Sequence, residues 1–131
     1  MISLYISNFH SPIKEKLQEG INVLDSGCGP GTWTFDMAEQ YPNSKFTAID
    51  ISFVFPEIVG PPNVDMHIMN VAKELAFKDN SFDFMFQRFL LAGLTRSNWK
   101  QVKSRIIKHH SYKMPIDLLY TFRHCKMHIV F

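Results

Sequence analysis

Apolar and polar positions along the chain fall into short blocks whose period changes from segment to segment. Ser11-Pro12 reads as a helix start: Ile13 and Leu17 share one face, Lys14, Glu15, Lys16 and Glu19 take the other, and Gly20 is the stop. Ile21–Leu24 is a short β-rich run that ends in Asp25-Ser26-Gly27, the pattern of a buried strand entering a glycine turn. Trp33, Met37 and Ala38 stand at helical spacing within Thr32–Gln40, and Tyr41-Pro42-Asn43 closes that helix. Lys45–Ile49 reads as a second strand ending at Asp50, and Val64–Met69 as a third. Pro56, Gly60, Pro61 and Pro62 leave room for at most a short helix between those two strands. Asp79-Asn80-Ser81 is a turn and Phe82–Phe86 a fourth strand. Thr95 or Ser97 then suits the cap of a helix carrying Trp99, Val102 and Ile106 on one face. Strands alternating with helices at this pitch predict an α/β fold on a parallel sheet.

Composition narrows the class. A chain of 131 residues holds one domain, and 46% hydrophobic with 20% charged residues is ordinary for a globular protein. No apolar run reaches the roughly 18 residues of a membrane helix, so no membrane partner is expected. Met1–Ser11 has no basic region leading into an apolar stretch, so no secretory signal is expected either. Cys28 and Cys125 form no C-x-x-C pair, which excludes a disulfide scaffold and a four-cysteine zinc site. The expected compartment is reducing: the cytoplasm, with the nucleus also open. His124-Cys125-Lys126-Met127-His128 has a spacing that a metal could use on a helix, but no second ligand cluster completes it and no metal is expected. Charge is uneven. Residues 1–99 hold seven Lys/Arg against eleven Asp/Glu, a net −4, whereas residues 100–131 hold seven Lys/Arg against Asp117 alone, a net +6. The basic end carries no recognised nucleic-acid motif, and nucleic acid is not expected as a partner.

The central chemical signal is Asp25-Ser26-Gly27-Cys28-Gly29-Pro30-Gly31, between a strand and a helix. Glycines there allow a sharp turn and let a ligand lie against backbone N–H groups at the helix start. Asp50 follows Gly31 by 19 positions, at the end of the next strand. Carboxyl ends of neighbouring parallel strands line one crevice, so loop and acid would face one ligand, and the acid can accept hydrogen bonds from both hydroxyls of a ribose. A nucleoside-containing ligand is predicted. The third glycine of the dinucleotide pattern G-x-G-x-x-G would fall at position 32, which is Thr32. Cys28 reads as a small turn residue, since no base stands beside it.

The stretch Val23-Leu24-Asp25-Ser26-Gly27-Cys28-Gly29-Pro30-Gly31-Thr32-Trp33 resembles the first motif of class I, Rossmann-like S-adenosylmethionine-dependent methyltransferases. Tyr41-Pro42-Asn43, Ala48-Ile49-Asp50-Ile51-Ser52, Pro61-Pro62-Asn63-Val64 and Phe77-Lys78-Asp79-Asn80-Ser81-Phe82-Asp83 are similar to the same family, closest to methyltransferase-domain proteins of fungi; the resemblance runs from about Ile21 to Val102. It implies S-adenosylmethionine as cofactor. Gly27, Gly29 and Gly31 would let the backbone approach its methionine part, with Asp25 near the amino group. Asp50 would hold the ribose hydroxyls, Ile51 would pack on the adenine face, and Asn70 would accept from the adenine amino group. Asp83, at a strand start, reads as structural. Methyl transfer needs little beyond in-line alignment and exclusion of water, and no residue is assigned as catalytic. Gln87 and Arg88, read as lying just past the fourth strand, stand where this family often contacts substrate; the acceptor, small molecule or protein, is left open.

The resemblance also implies a sheet in the order 3-2-1-4 with helices on both faces, and it ends there. Family strands 5 to 7 are not recognisable: no glycine follows Gly93, and no Pro-Gly-Gly-like turn introduces a fifth strand. The chain therefore reads as a partial domain over 1–102 and a basic tail of unknown structure over 103–131, expected to dock loosely and not to rebuild the sheet. The first functional reading is a methyltransferase. The alternatives are a non-catalytic cofactor-binding remnant or regulatory module of the same fold and, disfavoured by Thr32, a nicotinamide-dependent oxidoreductase.

Overall fold

The structure, a computed structural model, describes residues 13–52, 59–88, 101–102, 104–105, 108–109, 117–122 and 125–130, the last two segments as backbone. Its elements are α1 (Ile13–Glu19), β1 (Asn22–Ser26), α2 (Thr32–Gln40), β2 (Lys45–Asp50), β3 (Val64–Ile68), β4 (Phe84–Arg88), β5 (Asp117–Phe122) and β6 (Cys125–Val130). They form one sheet in the order β3-β2-β1-β4-β5-β6. The expected order 3-2-1-4 is present, and every pairing among those four strands is parallel.

Strand β1 is the axis of the sheet, buried on both faces from Val23 to Ser26, as a central parallel strand must be. On one face Val23, Phe46, Phe84 and Phe86 pack with Ile13 and Leu17 of α1 and Trp33, Met37 and Ala38 of α2. Trp33 stacks on Phe86 with ring centroids 3.9 Å apart and meets Phe46 edge-on, the latter a geometry that aromatic quadrupoles favour. On the other face Leu24, Ile49 and Met85 pack with Val71, Leu75, Phe82 and Val102. Helix α2 has the bounds that the periodicity predicted. Trp99 and Ile106, Pro12 and the segment 53–58 lie outside the described residues.

Three strands shift their bounds, β3 stopping at Ile68, one residue before the expected Met69. β1 continues through Asp25 and Ser26, because both keep parallel partners, Ala48 and Ile49 on β2. β4 starts at Phe84, not Phe82, and includes Gln87 and Arg88, which are thus strand residues and not part of a loop beyond it. Asp83 sets that start. Its amide donates to the Asn22 carbonyl at 2.9 Å, and its carboxylate accepts from the Asn22 amide at 3.0 Å. The acid is a latch between two strand entrances, in agreement with its structural reading.

The expectation for the tail is corrected. Asp117–Phe122 pairs parallel with β4, from Phe86↔Asp117 to Arg88↔Leu119, and Cys125–Val130 returns antiparallel beside it. Glycine was the wrong criterion. The connection from Arg88 to Asp117 is longer than the dozen or so residues that a parallel crossover requires, and the β5–β6 hairpin closes through two residues, 123 and 124. The described residues between 101 and 109 also contact the rest of the domain. Arg105 donates to the Ala72 carbonyl, the amides of Asn80 and Phe82 donate to the carbonyls of Lys108 and His109, and Val102 is buried. His109, 2% exposed, donates through Nδ1 to the Lys78 carbonyl at 3.0 Å, the only role that a carbonyl partner allows it.

Backbone pairing on both sides of Asp117–Leu119 predicts slow amide exchange there, whereas β3 has a pairing strand on one side only among the described residues. Hydrogen exchange followed residue by residue should find amides of Asp117–Leu119 better protected than those of Val64–Ile68. Equal or weaker protection in β5 would contradict its place inside the sheet.

Candidate functional site

All five parallel strands end at one edge, and the order reverses between β1 and β4: β2 and β3 lie to one side of β1, β4 and β5 to the other. Such a switch point leaves a crevice at the carboxyl ends of the strands. The glycine loop, Asp50, Ile51 and Asn70 all leave strands at that edge, so the fold brings together the residues that the sequence grouped.

The loop is bent by backbone that side chains resist. Gly29 has φ +57° and Gly31 φ +83°, both left-handed, and Gly31 is the residue from which α2 starts. A Cβ on Gly31 would come within 2.7 Å of the Met66 terminal methyl on β3, the end of a flexible side chain that can give way, so the left-handed φ is the firmer demand for glycine there. Around Gly29 the situation is the reverse: a Cβ there would meet nothing within 4 Å among the described residues. Open space lies over that glycine.

The loop's amides face inward. Those of Gly27 and Cys28 both donate to the Ile49 carbonyl, at 2.8 and 3.0 Å, and that of Gly31 donates to the Cys28 carbonyl at 3.1 Å. The Gly29 amide donates to Asp50 Oδ2 at 2.9 Å. Groups of the sheet edge satisfy the amides of Gly27, Cys28 and Gly29, and a carbonyl within the loop satisfies that of Gly31. The loop offers shape.

Asp50 is the hinge of the arrangement. Oδ2 accepts from Gly29, while Oδ1 accepts from the Ser52 amide at 2.9 Å and the Ser52 hydroxyl at 2.6 Å. Partial burial pushes its pKa upward, but the hydrogen bonds from the Ser52 hydroxyl and from the amides of Ser52, Gly29 and Ile51 together outweigh this and hold it below the ordinary carboxylate value. Beside it, Ile51 is 66% exposed and Ile68, the last residue of β3, 54% exposed. Two large apolar side chains left open at the crevice make an apolar wall.

Asp25 lies beneath the loop, 3% exposed, accepting a 2.5 Å hydrogen bond from the Thr34 hydroxyl of α2. Asn70 turns the chain after β3: Oδ1 accepts from the Ala72 amide at 2.9 Å, which leaves one lone pair on that oxygen. Cys28 donates its thiol to the Gly29 carbonyl at 3.4 Å. Burial first, then the charges of Asp25 and Asp50, push its pKa up to about 12. Among the described residues no group of three or more His, Cys, Asp or Glu could hold a metal, and no helix is long and apolar enough to cross a membrane. Cys125 and His128 lie on strand β6, not on a helix. His124 is outside the described residues.

Sequence reasoning assigned no role to Ser52, Thr34 or Ser26, and it named Gln87 as a substrate contact without seeing that its side chain is buried. The burial of the last two was discoverable: each stands two residues beyond an apolar strand position, Leu24 and Met85, on the same buried face, where a polar side chain breaks the alternation.

Residues 23–111 match the family described as "Methyltransferase domain". Among curated proteins the chain is similar to the secondary metabolism regulator LAE1 of Cochliobolus heterostrophus, 27% identical over 88 residues, and to methyltransferase str2 of Strobilurus tenacellus, 31% identical over 93 residues. These matches cover 66% and 71% of this chain but only 28% and 33% of the relatives, so the chain spans about a third of their length. Among solved structures it is similar to coclaurine N-methyltransferase bound to N-methylheliamine and SAH, with TM-score 0.70, 23% identity, and 92% of this chain against 34% of that one covered. A methyltransferase of Methanosarcina mazei gives TM-score 0.69 and 22% identity over 86% of this chain and 58% of that one. At these identities the structural likeness establishes the fold.

Two outcomes follow from the site's electrostatics. A folded pKa held below the ordinary value of about 3.9 means that Asp50 contributes stability above that pH and loses it as the pH falls through the lower folded value. Chemical denaturation from pH 6 to pH 2 should therefore give a shallower acid decline in Asp50→Asn than in the unaltered chain; parallel curves would remove Asp50 from the linkage. With its pKa near 12, Cys28 should alkylate with iodoacetamide at pH 8 at least about a hundredfold more slowly than an unperturbed thiol. Peptide mapping separates it from Cys125, and a rate like that of free cysteine would contradict the buried thiol.

Proposed function

The chain belongs to the methyltransferase-domain family, with the Rossmann-like fold of class I S-adenosylmethionine-dependent methyltransferases, and from that premise we propose that it binds S-adenosylmethionine at the β1–β2 edge and serves transfer of its methyl group to an acceptor. The observation that carries the reading is the open space over Gly29 beside a partly exposed carboxylate and an exposed apolar side chain. Those three features suit the methionine chain, ribose and adenine of one elongated ligand.

Gly27, Gly29 and Gly31 would admit the methionine part, with Asp25 below them as a fixed negative charge. Asp50 would accept from the ribose hydroxyls by exchanging some of its present donors, the Ser52 hydroxyl first. Ile51 would cover one adenine face, and the remaining lone pair of Asn70 would accept from the adenine amino group. All lie within 1–102, the part we take as the cofactor-binding unit. When bound, the cofactor supplies an activated methyl on a sulfonium. The chain's own part is to orient the cofactor and exclude water, and no side chain need take a proton unless the accepting atom must lose one.

Calorimetric titration of the full chain should detect S-adenosylhomocysteine and no NAD. Asp50→Ala should weaken S-adenosylhomocysteine binding by about 1–3 kcal/mol, the usual cost of leaving a partly buried polar partner unpaired. Gly29→Ala should cost about 1–2 kcal/mol of stability from its left-handed φ and abolish binding through the space its Cβ takes. Normal binding by the folded Gly29→Ala variant would sink the cradle. Methyl transfer to a panel of small nucleophiles then separates a working transferase from a cofactor-binding module.

A further inference from the structure

Side by side at the switch point stand two polar side chains without a hydrogen-bond partner among the described residues. Ser26 ends β1, Gln87 is the penultimate residue of β4, and the two are register neighbours across the parallel ladder. Ser26 is 1% and Gln87 3% exposed, and Ser26 Oγ, Gln87 Oε1 and Gln87 Nε2 are all buried without a hydrogen bond. Directly below, on the same face, stand their apolar register neighbours Leu24 and Met85. Native proteins rarely leave three such atoms unsatisfied, because each carries its full desolvation cost. The position of the pair gives the cost a purpose: Gly27 follows Ser26 immediately, and the crevice of a doubly wound sheet opens between the two strands that carry these residues.

We propose that Ser26 and Gln87 form the acceptor-recognition pair of the site, reading one uncharged group that both donates and accepts a hydrogen bond, a hydroxyl or carboxamide on an apolar body. This rests on the function proposed above. The hydroxyl and the carboxamide each offer a donor and an acceptor, so a hydroxyl between them meets both complements. The pair is neutral and the floor beneath it is apolar, so a charged acceptor group would lose its hydration without a counter-charge. An apolar acceptor would leave the three atoms as they are.

The test is an NMR titration of the full chain with phenol, toluene and benzoate, with and without S-adenosylhomocysteine, alongside denaturant midpoints. Phenol should bind about tenfold or more tightly than toluene or benzoate. Gln87→Met should remove that preference while its denaturant midpoint without ligand stays level or rises, because an unpaired polar group has been replaced by an apolar one. If that variant fails to fold, Ser26→Ala makes the same comparison and should narrow the preference at an unchanged midpoint. Equal affinities for phenol and toluene would overturn the pair's role, as would a preference that survives substitution. A clear fall in the midpoint on substitution, marking groups satisfied internally, would do the same. Absence of S-adenosylhomocysteine binding would overturn the cofactor reading alone, since the probe comparison is also made without it.

Discussion

Everything at the candidate site depends on the parallel pairing of β1 with both of its neighbours. Because β2 and β4 run in the same direction on either side of it, the carboxyl ends of three strands open at one edge. Burial of Val23, Leu24, Phe46, Ile49, Phe84 and Met85 on the two faces holds that register, since a one-residue slip would turn each of them to the wrong face. Once the register is held, Gly27, the end of β2 at Asp50 and the end of β4 at Gln87 have no freedom to separate. The site is a consequence of strand direction.

Upon that frame the loop is tied down by the sheet edge. The Ile49 carbonyl takes two loop amides and Asp50 takes a third. The same carboxylate is fastened by Ser52 from its other side. The residue read as a ligand contact is therefore also the clamp on the glycine turn, and its two uses share one pair of oxygens. Thr34, bonded to buried Asp25, fixes the first turn of α2 over the loop in the same way.

Much of this was legible in the residues. The helix Thr32–Gln40 and the inner strands follow from periods of 3.6 and 2, and the grouping of the glycine loop with Asp50 follows from parallel-sheet geometry. What stayed illegible has physical causes. Strands β5 and β6 were missed because glycine was taken as the mark of a turn, whereas a long crossover and a two-residue hairpin connection suffice. The inward direction of the loop amides depends on where the Ile49 carbonyl falls, a tertiary fact without a local signature. Ser26 and Gln87 looked like a turn residue and a loop residue until the ladder extended through both.

The central claim is that the edge holding the Gly29 opening and Asp50 receives an S-adenosyl ligand, and amide shift mapping of the isotopically labelled chain with S-adenosylhomocysteine tests it most directly. The largest shifts should fall on Gly27–Gly31, Asp50–Ser52 and Asn70, with those of α1 and the opposite, amino-terminal ends of the strands unmoved. No shifts at saturating ligand, or shifts confined to residues away from that edge, would contradict the account.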